Sequence, residues 1–246
     1  MRNLDKYEFS MQTLSIIPHY YPGVNINFGT TGSGKSFMTK AILRRDLNKY
    51  HELFLVCRNR VSQLDWENFF RSMGRSVCVI SDDSKLASIL QGVEHYFIKQ
   101  QEKGITVNTL LLFDDIGGSL STDPKPQKQV KNLQAFEWLS MNGRHCNITS
   151  VVLVQDLTII STRAARNAKT CIVFYESDLI HRKNHTYPKI ISAGLTSTWP
   201  MLSDWPDSKK YIVFNKLLDD LEPHTCIVRI LDPKTNRFIL YKCKAR

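Results

Sequence analysis

Short apolar runs alternate with helical patterns along the first 175 residues of the chain. The runs at 23–28, 52–57, 76–81, 109–115, 149–155 and 169–175 have the length and composition of buried strands. Between them, apolar residues recur every three or four positions over 35–49, 84–103 and 127–142, which predicts helices. Near-continuous apolar strands alternating with helices are typical of an α/β fold whose mainly parallel sheet carries helices on both faces.

The alternation ends after Tyr175. Residues 176–208 are polar and contain three prolines, so we interpret them as a long loop or insertion. The runs YIVFN, CIVRIL and RFILYKC predict strands, and DPKTN between the last two predicts a C-terminal β-hairpin. We expect a single domain over 1–246, with the core at about 20–176, the insertion at about 176–208, and a strand and hairpin at about 209–246.

The composition is 42% hydrophobic and 23% charged, as in ordinary globular domains. The longest apolar runs are too short to cross a bilayer, and the N-terminus lacks an apolar stretch of signal-peptide length. The six cysteines are scattered and form no C-x-x-C pair, which does not indicate a disulfide framework. These features predict an intracellular protein without a membrane span.

The net charge is +10, from 33 Lys and Arg against 23 Asp and Glu. Such a charge is informative about the binding partners of the chain, not about its fold. A basic surface favours binding to a phosphate polymer such as nucleic acid, although a merely soluble basic surface is the alternative. Lys125, Lys128 and Lys131 recur every three residues around a predicted helix start. These lysines are candidates for contacts with backbone phosphates, or they form a solvated face.

A glycine-rich loop joins the first long predicted strand to the first predicted helix. Its sequence, GTTGSGKS, matches G-x-x-x-x-G-K-[ST], whose backbone N–H groups surround phosphate oxygens. Lys35 is expected to reach the β- and γ-phosphates, and Ser36 to place its hydroxyl on Mg²⁺. The residues predicted to bind the nucleotide are Gly29, Thr30, Thr31, Gly32, Ser33, Gly34, Lys35, Ser36 and Phe37.

Two carboxylates follow the apolar run TLLLF. Asp114 and Asp115 stand at the tip of a buried strand, where two charges are unfavourable unless a cation or hydrogen bonds compensate them. We predict that Asp114 binds Mg²⁺ and that Asp115 orients and deprotonates the attacking water. The alternative is an ordinary strand-to-turn boundary, where aspartate is common.

Two further polar positions flank the strand at 149–155. Gln155 ends the strand, where it is predicted to face the γ-phosphate or the water, although it is otherwise a cap or turn residue. Arg144 lies on the loop that enters the strand and is predicted to complete the site of a neighbouring subunit. Arg163 and Arg166 are rivals for that role, and each arginine has the alternative of a solvated surface charge.

The ordered set GTTGSGKS, LLLFDD, GRH and LVQD, followed by RAARNAKTCIVF, resembles the FtsK–HerA superfamily of DNA-pumping ATPases. The resemblance spans about residues 24–175 and is strongest to the genome-packaging ATPases of poxviruses, giant viruses, virophages and polinton-like elements. It implies a P-loop NTPase fold of the RecA/ASCE-like kind. The positions implied are Lys35 and Ser36 for Walker A, Asp114 and Asp115 for Walker B, Arg144 for the trans-acting arginine and Gln155 for the strand-end sensor.

The resemblance also implies a reaction and partners. It implies ATP hydrolysis with Mg²⁺, a homo-oligomeric ring (a hexamer or pentamer), and translocation of double-stranded DNA into a preformed capsid. Contacts with capsid or portal-vertex proteins follow from that role. The expected location is the infected host cell, in the cytoplasm or virus factory, and also the virion. One departure is Asp115, because many cellular members carry glutamate there.

Other readings of the sequence stay open. A DNA pump acting in conjugation or segregation shares the same motifs. A regulatory GTPase is suggested by DDIG and FNKLLD, but Asp219 stands one residue too far along for N-K-x-D. A small-molecule kinase needs an acceptor pocket and an arginine-rich lid, for which the segment around Arg182 is a weak candidate. A scaffold that binds nucleotide without turnover is the non-enzymatic alternative.

Overall fold

The computed structural model describes residues 12–13, 18–81, 86–114, 137–155, 160–174, 184, 206–222, 225–232 and 237–244. These residues form one sheet of nine strands. The strands are β1 Gln12–Thr13, β2 Gly23–Phe28, β3 Glu52–Cys57, β4 Cys78–Ile80, β5 Thr109–Asp114, β6 Ile148–Val154, β7 Thr170–Phe174, β8 Thr225–Asp232 and β9 Arg237–Lys244.

The helices lie between these strands along the chain. They are α1 Lys35–Asp46, α2 Arg60–Ser72, α3 Leu86–Glu102, α4 Thr162–Asn167 and α5 Asp207–Asp219. Residues 137–142 are also helical, and 3-10 turns cover Leu47–Lys49 and Gly143–Cys146. The predicted helix at 127–142 is therefore described only over its last residues. Most of the predicted insertion at 176–208 lies outside the described residues.

The strand order is β1-β9-β8-β7-β2-β6-β5-β3-β4. Strands β7, β2, β6, β5, β3 and β4 are parallel to their neighbours in that run, whereas β8 is antiparallel to both β7 and β9. The mainly parallel sheet and the C-terminal hairpin are confirmed. Because β6 lies between β2 and β5, the order is that of the RecA/ASCE-like P-loop fold.

Each face of the sheet carries its own core. Along β5, Leu111 and Phe113 belong to one buried cluster, and Leu110 and Leu112 belong to the other. Helix α3 packs on the first face, and α1 and α2 contribute to the second. This alternation follows from the period of two along a strand, and it produces the predicted helix–sheet–helix layers.

The prediction of a strand at YIVFN was wrong, because this run lies within α5. Its apolar and β-branched residues suggested a strand, but the next turn supplies Leu217 and Leu218, which are buried against the core. Tertiary packing of this leucine face outweighs the local β propensity. Ile212, within the misassigned run, is on the exposed side of the helix.

Helix α2 was not recognised from the sequence. The side chain of Asn59 accepts hydrogen bonds from the backbone N–H groups of Val61 and Ser62 and so caps its N-terminus. Trp66 and Phe70, four residues apart, lie on one face of the helix and are fully buried. The signal was therefore present in the spacing of the aromatic residues after a capping asparagine.

All six cysteines are free thiols, and five of them are buried. Within the described ranges, the helices are too short or too polar to cross a membrane.

A cluster of charges ties the segment before β2 to the end of α1. The Asp46 side chain is 2% exposed, and its carboxylate lies 2.8 Å from His19 and 3.0 Å from both Arg45 and Lys49. Burial by itself raises the pKa of Asp46, but hydrogen bonds from Arg45, Lys49 and His19 outweigh it and hold that pKa well below its usual range. Arg45 also donates to the carbonyl of Pro18 at 2.7 Å.

We expect Asp46→Asn to lower the free energy of unfolding near neutral pH by about 1–3 kcal/mol, because hydrogen bonds to a buried charge are lost. The depressed folded-state pKa means that this contribution is fully present above the unfolded value of about 4 and is lost as the pH falls below it. Urea unfolding of both proteins near pH 7 and near pH 3 measures the effect.

The matched control is Asp65→Asn, since the Asp65 side chain is 59% exposed and pairs with Lys40 at the surface. This control should change stability by less than about 1 kcal/mol. A difference between wild type and Asp46→Asn that stays constant down to the lower pH would contradict the ionic origin of the effect.

Candidate nucleotide-binding site

The glycine-rich loop leaves β2 at the carboxyl edge of the sheet and runs directly into α1. The Gly29 N–H donates to the carbonyl of Val154 in β6, at 3.1 Å, which fixes the start of the loop to the neighbouring strand. A Cβ at Gly29 would lie 2.8 Å from the Cβ of Phe174, so only glycine fits this close approach. The loop is therefore bonded to β6 and packed closely against β7, the two strands that flank β2.

Gly34 forms the transition from the loop to the helix. Its φ of 102° lies in the left-handed region, and its carbonyl accepts from the N–H of Met38 at 2.9 Å. No side chain caps the first turn of α1. The first N–H groups of a helix have no partner within it, and together with the helix dipole they form an anion site.

The Lys35 ammonium lies against the loop that precedes it. It donates to the backbone carbonyls of Gly29 and Thr30 at 2.5 and 2.8 Å. Burial lowers the pKa of Lys35, and the charge of Asp114 acts in the opposite direction. The Lys35 ammonium therefore lies at the phosphate loop, where it experiences the negative charge of Asp114.

Asp114 is the last residue of β5 and lies at the same edge of the sheet as the loop. It is in register with Cys57 of β3 and Leu153 of β6. Its carboxylate accepts a hydrogen bond from the indole N–H of Trp66, at 2.8 Å. Sequence reasoning missed this contact because it missed α2.

The donor set suits Mg²⁺. Mg²⁺ prefers oxygen ligands and is commonly held by one or two carboxylates together with substrate phosphates. The hydroxyl of Ser36, in the first turn of α1, and the carboxylate of Asp114 supply such oxygens at one edge of the sheet. Asp115 lies outside the described residues, so its predicted role rests on the sequence.

Gln155 directly follows β6 and contacts the loop. The Thr31 hydroxyl donates to its side-chain oxygen at 3.1 Å. The contact arises because the whole of β2 pairs in parallel with β6, so the carboxyl ends of the two strands lie side by side. The structure thus brings the loop, Asp114 and Gln155 together.

A buried polar network beneath the loop was not foreseen. The Asn27 amide of β2 donates to the hydroxyls of Thr39, at 2.7 Å, and Tyr20, at 2.5 Å. Thr39 in turn donates to the carbonyl of Lys35 at 2.8 Å, which fixes the first turns of α1 on the strand. Burial raises the pKa of Tyr20 well above its usual value. The asparagines in the apolar run GVNINF were the available signal.

Arg144 does not belong to this constellation. It is exposed in the turn Gly143–Cys146, and its Cβ lies 3.9 Å from a Cβ built on Gly23, the first residue of β2. The loop begins six residues later at Gly29, roughly 20 Å along the strand. Arg144 therefore lies at the amino edge of the sheet, beyond reach of the loop of its own subunit.

The other residues predicted to have a functional role show no contact with the loop among the described residues. Arg163 is exposed in the first turn of α4, and the side chain of Arg166 lies outside the described residues. Lys125, Lys128 and Lys131 also lie outside the described residues. In the suggested GTPase motif, Asn215 and Lys216 lie inside α5, not in a loop at the sheet edge, which removes the basis for that alternative.

A phosphate loop of this form defines a P-loop NTPase. Its strand, β2, is separated by β6 from β5, the strand that ends in Asp114. The sequence family described as "Poxvirus A32 protein" matches residues 19–230. The chain belongs to this family. No curated protein gives a significant match to the whole sequence.

Solved structures share the fold at low sequence identity. The DNA-packaging ATPase B204 from Sulfolobus Turreted Icosahedral Virus has a TM-score of 0.56 and 14% identity, over 91% of this chain and 98% of that one. The pCW3 conjugation coupling protein TcpA has a TM-score of 0.58 and 14% identity, over 92% of this chain and 61% of that one. EssC from Geobacillus thermodenitrificans has a TM-score of 0.54 and 13% identity, over 91% of this chain and 40% of that one. At such identities these likenesses concern the fold alone.

Proposed function

We propose that the protein is an ATP-driven translocase of double-stranded DNA that packages a viral genome into a preformed capsid. The observation that carries the proposal is that the phosphate loop, Asp114 and Gln155 lie at the same edge of the sheet, at the ends of three adjacent strands. Membership of the A32 family and the fold shared with B204, a packaging ATPase, support it. The DNA partner and the capsid are inferred from these relatives.

Each residue of the site has a part in hydrolysis. The loop N–H groups and Lys35 bind and orient the β- and γ-phosphates. Ser36 and Asp114 would hold Mg²⁺, which would neutralise charge on the phosphates. Asp115 accepts the proton of the attacking water, and Gln155, held beside the loop by Thr31, orients that water.

Arg144 acts on a neighbouring subunit in this proposal. Its distance of roughly 20 Å along β2 from the loop excludes a role in its own site. An exposed guanidinium at the opposite edge of the sheet can enter the site of the next protomer in a ring. There it would neutralise charge that builds up during phosphoryl transfer.

We expect Arg144→Ala subunits mixed with Lys35→Ala subunits to regain part of the ATP turnover that each variant lacks alone, because an intact loop then meets an intact arginine supplied by a neighbour. ATP turnover measured across mixing ratios tests this. Arg71→Ala, at the exposed end of α2, is the matched control and should have little effect. Mixtures of the two variants that stay inactive at every ratio would remove the trans role.

The net charge of +10 supports a polyanionic substrate. The first of the lysines at 125, 128 and 131 comes ten positions after Asp115, so a contact with DNA there would be coupled to the state of the nucleotide. The protein would accordingly act in the infected cell, as a ring attached to the capsid.

ATP hydrolysis measured with and without double-stranded DNA tests the proposal. We expect DNA to stimulate turnover several-fold, and the stimulation to weaken as salt increases because phosphate contacts are screened. Hydrolysis that is unchanged by DNA at low salt, or a strong preference for GTP over ATP, would contradict it.

A further inference from the structure

Trp66 connects α2 to the predicted magnesium ligand. The residue is fully buried, yet its indole N–H donates to a carboxylate oxygen of Asp114 at 2.8 Å. Asp114 stands at the end of β5, whereas Trp66 lies in the helix after β3, the next strand of the sheet. A buried indole N–H requires an acceptor, and here the acceptor is the carboxylate of the site.

The indole is itself held rigidly. The ring of Phe69 meets it edge-on, with centroids 5.8 Å apart, and the ring of Phe70 lies 6.2 Å away at a tilt of 32°. On another side, the Lys40 ammonium lies 5.1 Å from the ring centroid and pairs with Asp65 at 2.7 Å. A donor fixed in this way restricts the orientation of the carboxylate that it binds.

Lys40 belongs to the helix that the phosphate loop opens, only five positions after Lys35. The contacts Lys40–Trp66 and Trp66–Asp114 thus form a continuous path from the phosphate-binding helix to the metal-binding carboxylate. The backbone link between these two parts of the site passes through β6 instead, which lies between β2 and β5.

We propose that Trp66 is a positioning residue for Mg²⁺ binding, which fixes the carboxylate of Asp114 in the orientation that the metal–nucleotide complex requires. The inference rests on the proposed function, because it presupposes a magnesium nucleotide at this site. Groups that orient metal ligands through hydrogen bonds typically change metal affinity 10–100-fold when removed. A purely structural tryptophan would alter stability without altering the dependence on Mg²⁺.

Trp66→Phe tests this role, because it keeps an aromatic ring and removes the N–H. The binding of a fluorescent ADP analogue is measured as Mg²⁺ is titrated, together with binding in EDTA. We expect the half-saturating Mg²⁺ concentration to rise about 10-fold or more, with metal-free binding unchanged. The matched control is Trp138→Phe, at a partly buried tryptophan packed on the other face of the sheet, which should follow wild type.

The outcomes separate this role from the proposed function. A Trp66→Phe protein that is folded and has the Mg²⁺ dependence of wild type would overturn the positioning role and leave the proposed function intact. Nucleotide binding by wild type that does not respond to Mg²⁺ would overturn both.

A second measurement does not depend on the stability of Trp66→Phe. The four tryptophans of the chain each give one indole N–H signal after ¹⁵N-tryptophan labelling. Single phenylalanine replacements of the other three assign the signal of Trp66. We expect Mg²⁺ with the ATP analogue AMPPCP to shift this signal but not that of Trp138, and Asp114→Asn to abolish the shift. A Trp66 signal that does not respond would overturn the proposal.

Discussion

Lys35→Ala is expected to reduce ATP turnover by about 10²–10³-fold or more, the range found when a preorganised charge-stabilising group is removed. The ammonium lies against the loop carbonyls of Gly29 and Thr30, at the loop that is proposed to bind the terminal phosphates. Alanine leaves the helix intact, because its helix propensity is at least as high as that of lysine. Phosphate release from saturating ATP measures the effect.

Lys99→Ala is the matched control for this variant. Lys99 is exposed in the last turn of α3, on the face of the sheet opposite α1. The control removes the same charge and should retain wild-type turnover. Near-normal hydrolysis by a folded Lys35→Ala protein would contradict the assigned role of the loop.

Asp115→Asn is expected to stop hydrolysis while leaving nucleotide binding largely intact. If Asp115 is the general base, the loss of its proton affinity lowers turnover by about 10²–10⁴-fold. Asp114 would still hold the metal, so the affinity for the magnesium nucleotide should remain close to that of wild type. Turnover and the dissociation constant of a non-hydrolysed ATP analogue are both measured.

Two variants make this result specific. Asp114→Asn should weaken magnesium-dependent binding, which distinguishes a metal ligand from a base. Asp220→Asn, at an exposed position after α5, removes an equal charge and should change neither quantity. If Asp115→Asn binds the magnesium nucleotide poorly, Asp115 is a metal ligand and another group must deprotonate the water.

The parts of the fold that the sequence predicts are those with unambiguous local signals. The strands from β2 to β7 were predicted within two residues, because buried parallel strands are continuously apolar and are bounded by turns. The run at 211–215 was misassigned because its β-branched residues are typical of strands, whereas the buried leucines that hold it as a helix follow outside the run.

The candidate site also has parts that the sequence predicts and parts that it does not. The loop and Asp114 could be predicted because each belongs to a recognisable run of consecutive residues. The Trp66–Asp114 and Asn27–Thr39 hydrogen bonds join residues from different elements, and which elements adjoin is decided by sheet order. A tryptophan in an amphipathic helix is usually a core residue, so its N–H partner could be identified only in the folded chain.

The pairing of β1 with β9 has a consequence for biosynthesis. Gln12 and Thr13 lie beside Tyr241 and Lys242, so β1 finds its partner strand only after β9, 229 positions later in the chain, has been synthesised. Chain closure between such distant segments is slow, and β1 must wait while the central strands assemble. Completion of this edge therefore waits for the synthesis of β9, and deletion of β9 would leave β1 without its place in the sheet.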